Sequence, residues 1–137
     1  MRHWTSCVAL TIVGVLILEV RAADKPPADY QAAMKDLGTI AQGLDKAVAA
    51  GDFETITKYA DAATKDFEVA ETYWKSRAKD ALELAEAGGK AAFDLGVAAG
   101  FMSKEGVEFA AKQMTDLCAQ CHTAHRETMP DGTFQIK

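Results

Sequence analysis

Residues 53–74, FETITKYADAATKDFEVAETYW, carry apolar side chains at alternating steps of three and four residues. The positions concerned are Phe53, Ile56, Ala60, Ala63, Phe67, Ala70 and Trp74. Such steps return to the same side of an α-helix, so the pattern predicts a helix with one continuous apolar seam. In a small chain, that seam is typically buried against other helices of the same kind.

The flanking sequence predicts three further helices. Similar spacing covers roughly residues 28–50 and 75–99, and it resumes after Ser103, which is expected to cap a fourth helix. Gly51 and Asp52 supply a stop and an N-cap between the first two helices. No proline or clear cap separates the second helix from the third. Four helices with short connections predict an all-α fold, an antiparallel up-down-up-down four-helix bundle.

Two glycine-containing segments carry further expectations. Gly88-Gly89 interrupts the third helix at about 1 kcal/mol per glycine relative to alanine, and a bend or break is expected there. The alternative is a backbone that passes close to something bulky. Pro130-Asp131-Gly132 predicts a turn, followed by a short tail over residues 133–137.

The N-terminus is typical of a secretory signal. Arg2 and His3 precede an apolar run over residues 7–18, and small residues around Ala22 suit cleavage. The sequence thus predicts a signal peptide over residues 1–22 and a four-helix domain over residues 23–137, exported to a bacterial periplasm. The apolar run is shorter than the roughly 20 residues that a membrane span needs, so no stable membrane insertion is expected after cleavage. A retained N-terminal anchor is the alternative.

The predicted mature chain is acidic. Removing Arg2, Arg21 and Glu19 from the total leaves 13 basic and 19 acidic residues, a formal charge of −6. Phosphates would repel such a surface, so no nucleic-acid partner is expected. The charge would steer the molecule toward a basic patch on a redox partner, although solvated helix faces are also commonly charged.

One motif near the C-terminus carries the chemistry. Cleavage removes Cys7, so the predicted mature chain has only the two cysteines of Cys118-Ala119-Gln120-Cys121-His122. Cys-x-x-Cys-His is the attachment signature of c-type haem. Positions three and four apart share a helix face, so both thiols can form thioethers to one porphyrin while the imidazole reaches its iron. We therefore predict one covalent haem c, held by Cys118 and Cys121, with His122 as the proximal iron ligand.

Two other interpretations of the cysteine pair remain open at this point. A structural zinc site usually has four ligands, and the candidates here fall within eight consecutive residues, ending at His125. A thioredoxin-like redox pair needs a βαβ context, and the sequence shows no convincing strand pattern.

A haem motif at the C-terminal end of a four-helix chain resembles the class II c-type cytochromes, which comprise the cytochromes c′ and their low-spin six-coordinate relatives. The resemblance covers roughly residues 28–127. It is carried by the motif with Arg126 after it, by Trp74-Lys75-Ser76-Arg77-Ala78-Lys79, and by Met34-Lys35-Asp36 in the first helix. It implies that His122 is the proximal ligand. In low-spin members a first-helix methionine is the distal ligand, which implies Met34 as a further haem-binding residue on the iron.

Met34 has a simpler interpretation as well, because methionine at helical spacing often fills gaps in a core. Met102 and Met114 are further ligand candidates. Met114 lies four residues before Cys118 and should not reach the opposite haem face, and Met102 falls in a connection. His125 is expected to be exposed on the same side as His122.

The predicted function is electron transport by a periplasmic monohaem cytochrome without substrate turnover, so the chain is not expected to be an enzyme. The expected partners are a redox protein and, as the resemblance implies, a second copy of the chain. The alternative is a five-coordinate cytochrome c′ that binds nitric oxide or carbon monoxide. A third hypothesis is a domain accessory to a larger redox enzyme.

Overall fold

The computed structural model describes residues 25–137, and the signal peptide predicted over residues 1–22 lies outside the described residues. Four helices account for most of the described chain: α1 (Ala28–Ala50), α2 (Phe53–Trp74), α3 (Lys79–Gly100) and α4 (Lys104–His125). Two short strands follow, β1 (Arg126–Thr128) and β2 (Phe134–Ile136). The predicted all-α class with four helices is confirmed. Within residues 25–137 no helix is both long and apolar enough to cross a membrane.

Three of the eight helix ends in the described chain follow from local capping signals. The side chain of Asp52 accepts a hydrogen bond from the Thr55 amide at 3.0 Å, and that of Ser103 accepts one from the Gly106 amide at 3.2 Å. Gly51 ends α1 with φ +66°, a left-handed conformation that glycine adopts without strain. The third helix begins at Lys79, later than the sequence pattern predicts. Its N-cap has no side-chain hydrogen bond, which explains why no start signal was visible.

Consecutive helices are antiparallel. The pairs that approach one another run in opposite directions along the chain: Tyr30 with Trp74 and Gly43 with Tyr59 between α1 and α2, Ala60 with Gly96 and Phe67 with Gly88 between α2 and α3, and Asp80 with His125 and Ala98 with Gly106 between α3 and α4. The first and last helices meet over a much shorter stretch than the other neighbours do. The α1–α4 seam is therefore the loosest in the bundle.

Buried apolar side chains form two clusters. The main core cluster runs along the bundle and includes Leu44, Ile56, Leu95, Val107 and Met114, with alanines filling much of the remainder. The second, which we call the aromatic end cluster, lies where α1 and α3 begin and α2 and α4 end. Its members are Tyr30, Ala70, Tyr73, Trp74, Ala81 and Ala85. The many alanines allow close helix approach but leave little apolar volume per residue in the core.

The glycine pair in α3 does not break the helix, so the break predicted at Gly88-Gly89 is wrong. The helix continues to Gly100, and Gly88 is buried beneath the aromatic ring of Phe67. A Cβ at Gly88 would lie 2.6 Å from Phe67 Cζ, too close for two carbon atoms. The alternative interpretation, a backbone passing close to a bulky group, describes this contact.

The C-terminal residues form a hairpin rather than a free tail. The predicted turn is present, with φ +81° at Gly132, but the segment after it pairs with β1 in the register Arg126 with Ile136. Ile136 packs against the aromatic end cluster. The amide of Lys137 donates to the His125 carbonyl at 3.0 Å, and its Nζ donates to the Thr123 carbonyl at 2.8 Å. The hairpin thereby closes the C-terminal end of α4.

A carboxyl pair between α1 and α2 makes the stability of the fold depend on pH. Asp66 is half-buried, and its Oδ2 atom is buried without a hydrogen-bond partner among the described residues. Burial, and then the charge and hydrogen bonding of Asp36, raise the pKa of Asp66 to about 6. Because this pKa is higher in the folded than in the unfolded chain, the associated stability is present below about pH 4 and is lost as the pH rises through 6.

Asp66→Asn is therefore expected to increase the free energy of unfolding at pH 7 by roughly 1 kcal/mol, a figure that allows for the partial exposure of the group. At pH 4 the gain should disappear, because the native carboxyl is then protonated. Urea unfolding at pH 4, 5.5 and 7 measures both effects. Asp61→Asn, at an exposed site on the same helix, removes the same charge and serves as the control. An equal gain in both variants would show that net charge, not the Asp36 contact, is responsible.

Candidate functional site

The cysteine–histidine motif occupies the last two turns of α4. Cys118, Cys121 and His122 are each half-buried, and neither cysteine is engaged in a disulfide. Steps of three and four residues place the three side chains on one face of the helix. Cys118 packs against the main core cluster. The structure therefore brings two free thiols and an imidazole together at one end of the bundle.

Cys118 and His122 on this face point away from α3. Gly106 marks the opposite edge, because a Cβ there would lie 3.0 Å from Ala98 Cβ in α3. At about 100° per residue, Cys118 and His122 lie about 120° and 160° around the helix axis from Gly106, whereas Cys121 lies about 60° from it. The α1–α4 seam is also the least tightly packed. The motif thus adjoins the place where a flat group could enter between helices with the least loss of packing.

Burial sets the protonation of the motif. It raises the pKa of Cys118, and it raises the pKa of Cys121 together with the neighbouring Cys118 and Asp80. Both groups are therefore thiols rather than thiolates at neutral pH. Burial, and then the charge of Arg126, lower the pKa of His122. A neutral imidazole is the form that binds a metal ion.

An aromatic network adjoins the motif. Trp74 Nε1 donates a hydrogen bond to the Tyr30 hydroxyl at 3.2 Å, and the two rings meet edge to face at 6.2 Å between centroids. Tyr73 packs on both, with centroid distances of 4.2 Å to Tyr30 and 4.9 Å to Trp74. Burial raises the pKa of Tyr30 to about 12, and the nearby Cys121 adds to this rise. The first turn of α1 is thereby packed against the end of α2.

The structure corrects the expectation for His125 and adds a residue that the sequence did not indicate. His125 is half-buried rather than exposed, and its ring packs 5.1 Å from the Trp74 ring. Its Nε2 atom lies 3.0 Å from Asp80 Oδ2, which connects α4 to the start of α3. A lone aspartate at a helix start gives no sequence signal for a contact 45 residues away. The contact between His125 and Asp80 therefore holds the C-terminal end of α4, which carries the motif, against the start of α3.

The three methionine candidates occupy different places. Met34 is half-buried and packs against both clusters, one turn after Tyr30 on α1 and so on the side near Cys121. Met114 is 2% exposed within the main core cluster. Met102 is 70% exposed in the turn before α4, roughly 30 Å along that helix from His122. Of these, only Met34 is neither fully buried in the main core cluster nor largely exposed.

The donor set suits some cofactors better than others. Among residues 25–137, no group of three or more His, Cys, Asp or Glu side chains is arranged to hold a metal ion, whereas structural zinc usually takes four such ligands. Redox dithiols have lowered thiol pKa values, and here both are raised. Haem iron takes four nitrogen ligands from the porphyrin and needs only one or two further ligands from the protein. Two thiols and one neutral imidazole fit that requirement.

No family model matches the chain, and no curated protein or solved structure matches it.

Proposed function

We propose that the chain is a periplasmic monohaem c-type cytochrome that transfers electrons, similar to the low-spin class II c-type cytochromes. The observation that supports this proposal most strongly is the placement of two free, protonated cysteines and a neutral histidine on one face at the end of α4. That face adjoins the loosest seam of the bundle. The haem, when bound, supplies an iron that alternates between the ferrous and ferric states.

Cys118 and Cys121 would hold the cofactor through thioether bonds. Each thiol adds its Sγ–H across one porphyrin vinyl group, so that a carbon–sulfur bond forms and the hydrogen is taken up by the vinyl carbon. The addition is redox-neutral and needs no external oxidant. The raised thiol pKa values slow competing disulfide formation, which matters in an oxidising compartment.

The remaining residues position and shield the iron site. His122 would bind the iron through its neutral ring as the proximal ligand. Tyr30 and Trp74, 6% and 3% exposed, exclude water from this end of the bundle. Met34 would be the distal ligand, approaching from α1. A methionine–histidine pair raises the reduction potential and suits electron transfer.

A second candidate function is a five-coordinate cytochrome c′ that binds nitric oxide or carbon monoxide. The packing of Met34 against both apolar clusters favours it, since a methionine that fills a gap between clusters is held away from a metal. In this version apolar side chains, and no protein ligand, would face the open side of the iron. The two candidate functions differ in the role of Met34, which binds the iron in the first and only fills the core in the second.

Met34→Ala separates the candidates. We expect native protein, matured with a c-type haem system, to show a low-spin spectrum with a sulfur-to-iron band in the oxidised form. The variant should lose that band, become high-spin and bind carbon monoxide readily. Met102→Ala, at the exposed methionine of the α3–α4 turn, is the matched control and should leave the spectrum unchanged.

The opposite results are equally informative. A native spectrum that is already high-spin, and that Met34→Ala leaves unchanged, would remove Met34 from the iron and support the gas-binding candidate. Protein without a haem spectrum would contradict both.

A further inference from the structure

The turn between α2 and α3 concentrates positive charge on an acidic chain. We call residues 75–79, Lys75-Ser76-Arg77-Ala78-Lys79, the basic turn; its three cationic residues are all exposed. The full sequence has a net charge of −5. The basic turn therefore opposes the sign of the molecule as a whole.

Lysines outside the basic turn differ in their pairing. Four of them lie within 4 Å of a carboxylate one helical turn away: Lys58 with Glu54, Lys90 with Asp94, Lys104 with Glu108 and Lys112 with Asp116. In the basic turn, Lys79 pairs with Glu83 at 3.1 Å, and both side chains are largely exposed. Lys75 makes no ion pair with the described residues. The attraction within an exposed ion pair is weak because solvent screens it, so the turn remains a local positive surface.

The basic turn lies directly over the aromatic end cluster. Arg77 Cζ is 4.4 Å from the centroid of the Tyr73 ring, and Tyr73 packs on Tyr30 and Trp74. The Trp74 ring in turn lies 5.1 Å, between centroids, from the ring of His125, three residues after the proposed iron ligand His122. Packed aromatic side chains therefore connect the charged surface to the motif. A protein bound at this turn would be close to the iron site, with side chains rather than water between them.

We propose that the basic turn is the docking face for an acidic surface patch of a redox partner protein, an inference that rests on the proposed electron-transfer function. The net negative charge of the chain by itself favours a basic partner surface, as the sequence predicts, but at short range the local charge of the turn attracts an acidic patch and orients this end toward it. An anionic membrane is the less suitable occupant. Membrane-binding basic segments usually have four to eight cations, and the basic turn has three.

Charge reversal tests the docking face. In Lys75→Glu/Lys79→Glu the turn becomes negative, and Lys46→Glu/Lys65→Glu, at exposed lysines of α1 and α2, gives the same change in net charge. The effects on helix stability should roughly cancel, since an acidic residue is favourable at the start of α3 and unfavourable at the end of α2. Thermal unfolding of both variants checks this point.

The first readout is the rate at which hexacyanoferrate(III) oxidises haem-loaded protein that has first been reduced to the ferrous state, measured as a function of ionic strength. If hexacyanoferrate(III) approaches the protein at the basic turn, the rate for native protein falls as salt rises, although protein and reagent are both negative overall. The double reversal at residues 75 and 79 should slow the reaction about 3- to 10-fold at low salt and invert its salt dependence, whereas the control should keep the native sign. A native rate that rises with salt, or equal slowing in both variants, would overturn the proposal.

The second readout does not depend on electron transfer. Poly-L-glutamate, added to native haem-loaded protein, should shift the backbone amide resonances of residues 75–79, and the double reversal should abolish these shifts. Shifts confined to other residues, or binding of the turn to phosphatidylglycerol vesicles but not to poly-L-glutamate, would overturn the proposal in favour of another surface or a membrane. Protein that carries no haem would overturn the proposed function and this inference together. Haem-loaded protein with the wrong salt dependence would overturn only the docking face.

Discussion

Serine at both Cys118 and Cys121 is expected to give protein that loses all its pigment to acidified acetone, whereas native protein keeps its pigment. The reason is covalent: serine hydroxyls do not form thioethers, and a haem held only by His122 dissociates once acid protonates the imidazole. Each single variant retains one thioether and should therefore keep the haem that it binds. Pyridine haemochrome spectra of the extracted protein measure the retained fraction. Complete retention in the double variant would place the attachment elsewhere.

The same double variant is expected to be poorly folded. Alanines such as Ala63, Ala92 and Ala99 supply much of the buried core, and the α1–α4 seam is packed over a short stretch. A haem in that seam would add a large apolar surface to a thin core. We expect the cooperative thermal transition of native protein to broaden or disappear in the variant, as followed by circular dichroism. An unchanged transition would show that the bundle does not depend on the cofactor.

Gly88→Ala is expected to destabilise the fold by about 1–2 kcal/mol, lowering the melting temperature by about 4–8 °C. The added Cβ would lie 2.6 Å from Phe67 Cζ, and the ring is only 5% exposed, so it cannot move aside freely. Overpacking of this kind costs about 1–3 kcal/mol, which exceeds the gain of up to about 1 kcal/mol from replacing a helical glycine with alanine.

Gly38→Ala supplies the matched control with the opposite sign. Gly38 is exposed within α1, and a Cβ there would meet nothing within 4 Å. Only the higher helix propensity of alanine remains, so we expect the free energy of unfolding to increase by about 0.5–1 kcal/mol. Calorimetry on the haem-loaded variants measures both. If both substitutions stabilise the protein, the contact between Phe67 and Gly88 is not as tight as the structure shows.

Local patterns were sufficient to predict most of the fold. The bounds of α1 and the start of α2 follow from apolar spacing together with Gly51 and Asp52, because these signals act within one or two turns of the chain. The later start of α3 was missed, since Ala78 supplies no side-chain cap. The glycine pair misled for a related reason: a glycine that admits an aromatic ring and a glycine that ends a helix look the same in one sequence.

In the candidate site, too, local spacing could be predicted from the sequence, whereas contacts between distant residues could not. The spacing of Cys118, Cys121 and His122 predicts a shared helix face without any knowledge of the fold. The contact of His125 with Asp80 and the hydrogen bond between Trp74 and Tyr30 join residues 45 and 44 positions apart, and no local signal indicates them. The hairpin also depends on pairing across a turn, between segments too short to show a strand pattern.

The most direct measurement of covalent haem attachment is the mass of one peptide. Trypsin cleaves after Lys112 and Arg126, so the peptide of residues 113–126 contains both cysteines and His122. From protein matured in a periplasm with a c-type haem system, this peptide should be heavier by the mass of one haem and should absorb visible light. A peptide of unmodified mass, or one lighter by two hydrogens as a disulfide would make it, would contradict the account.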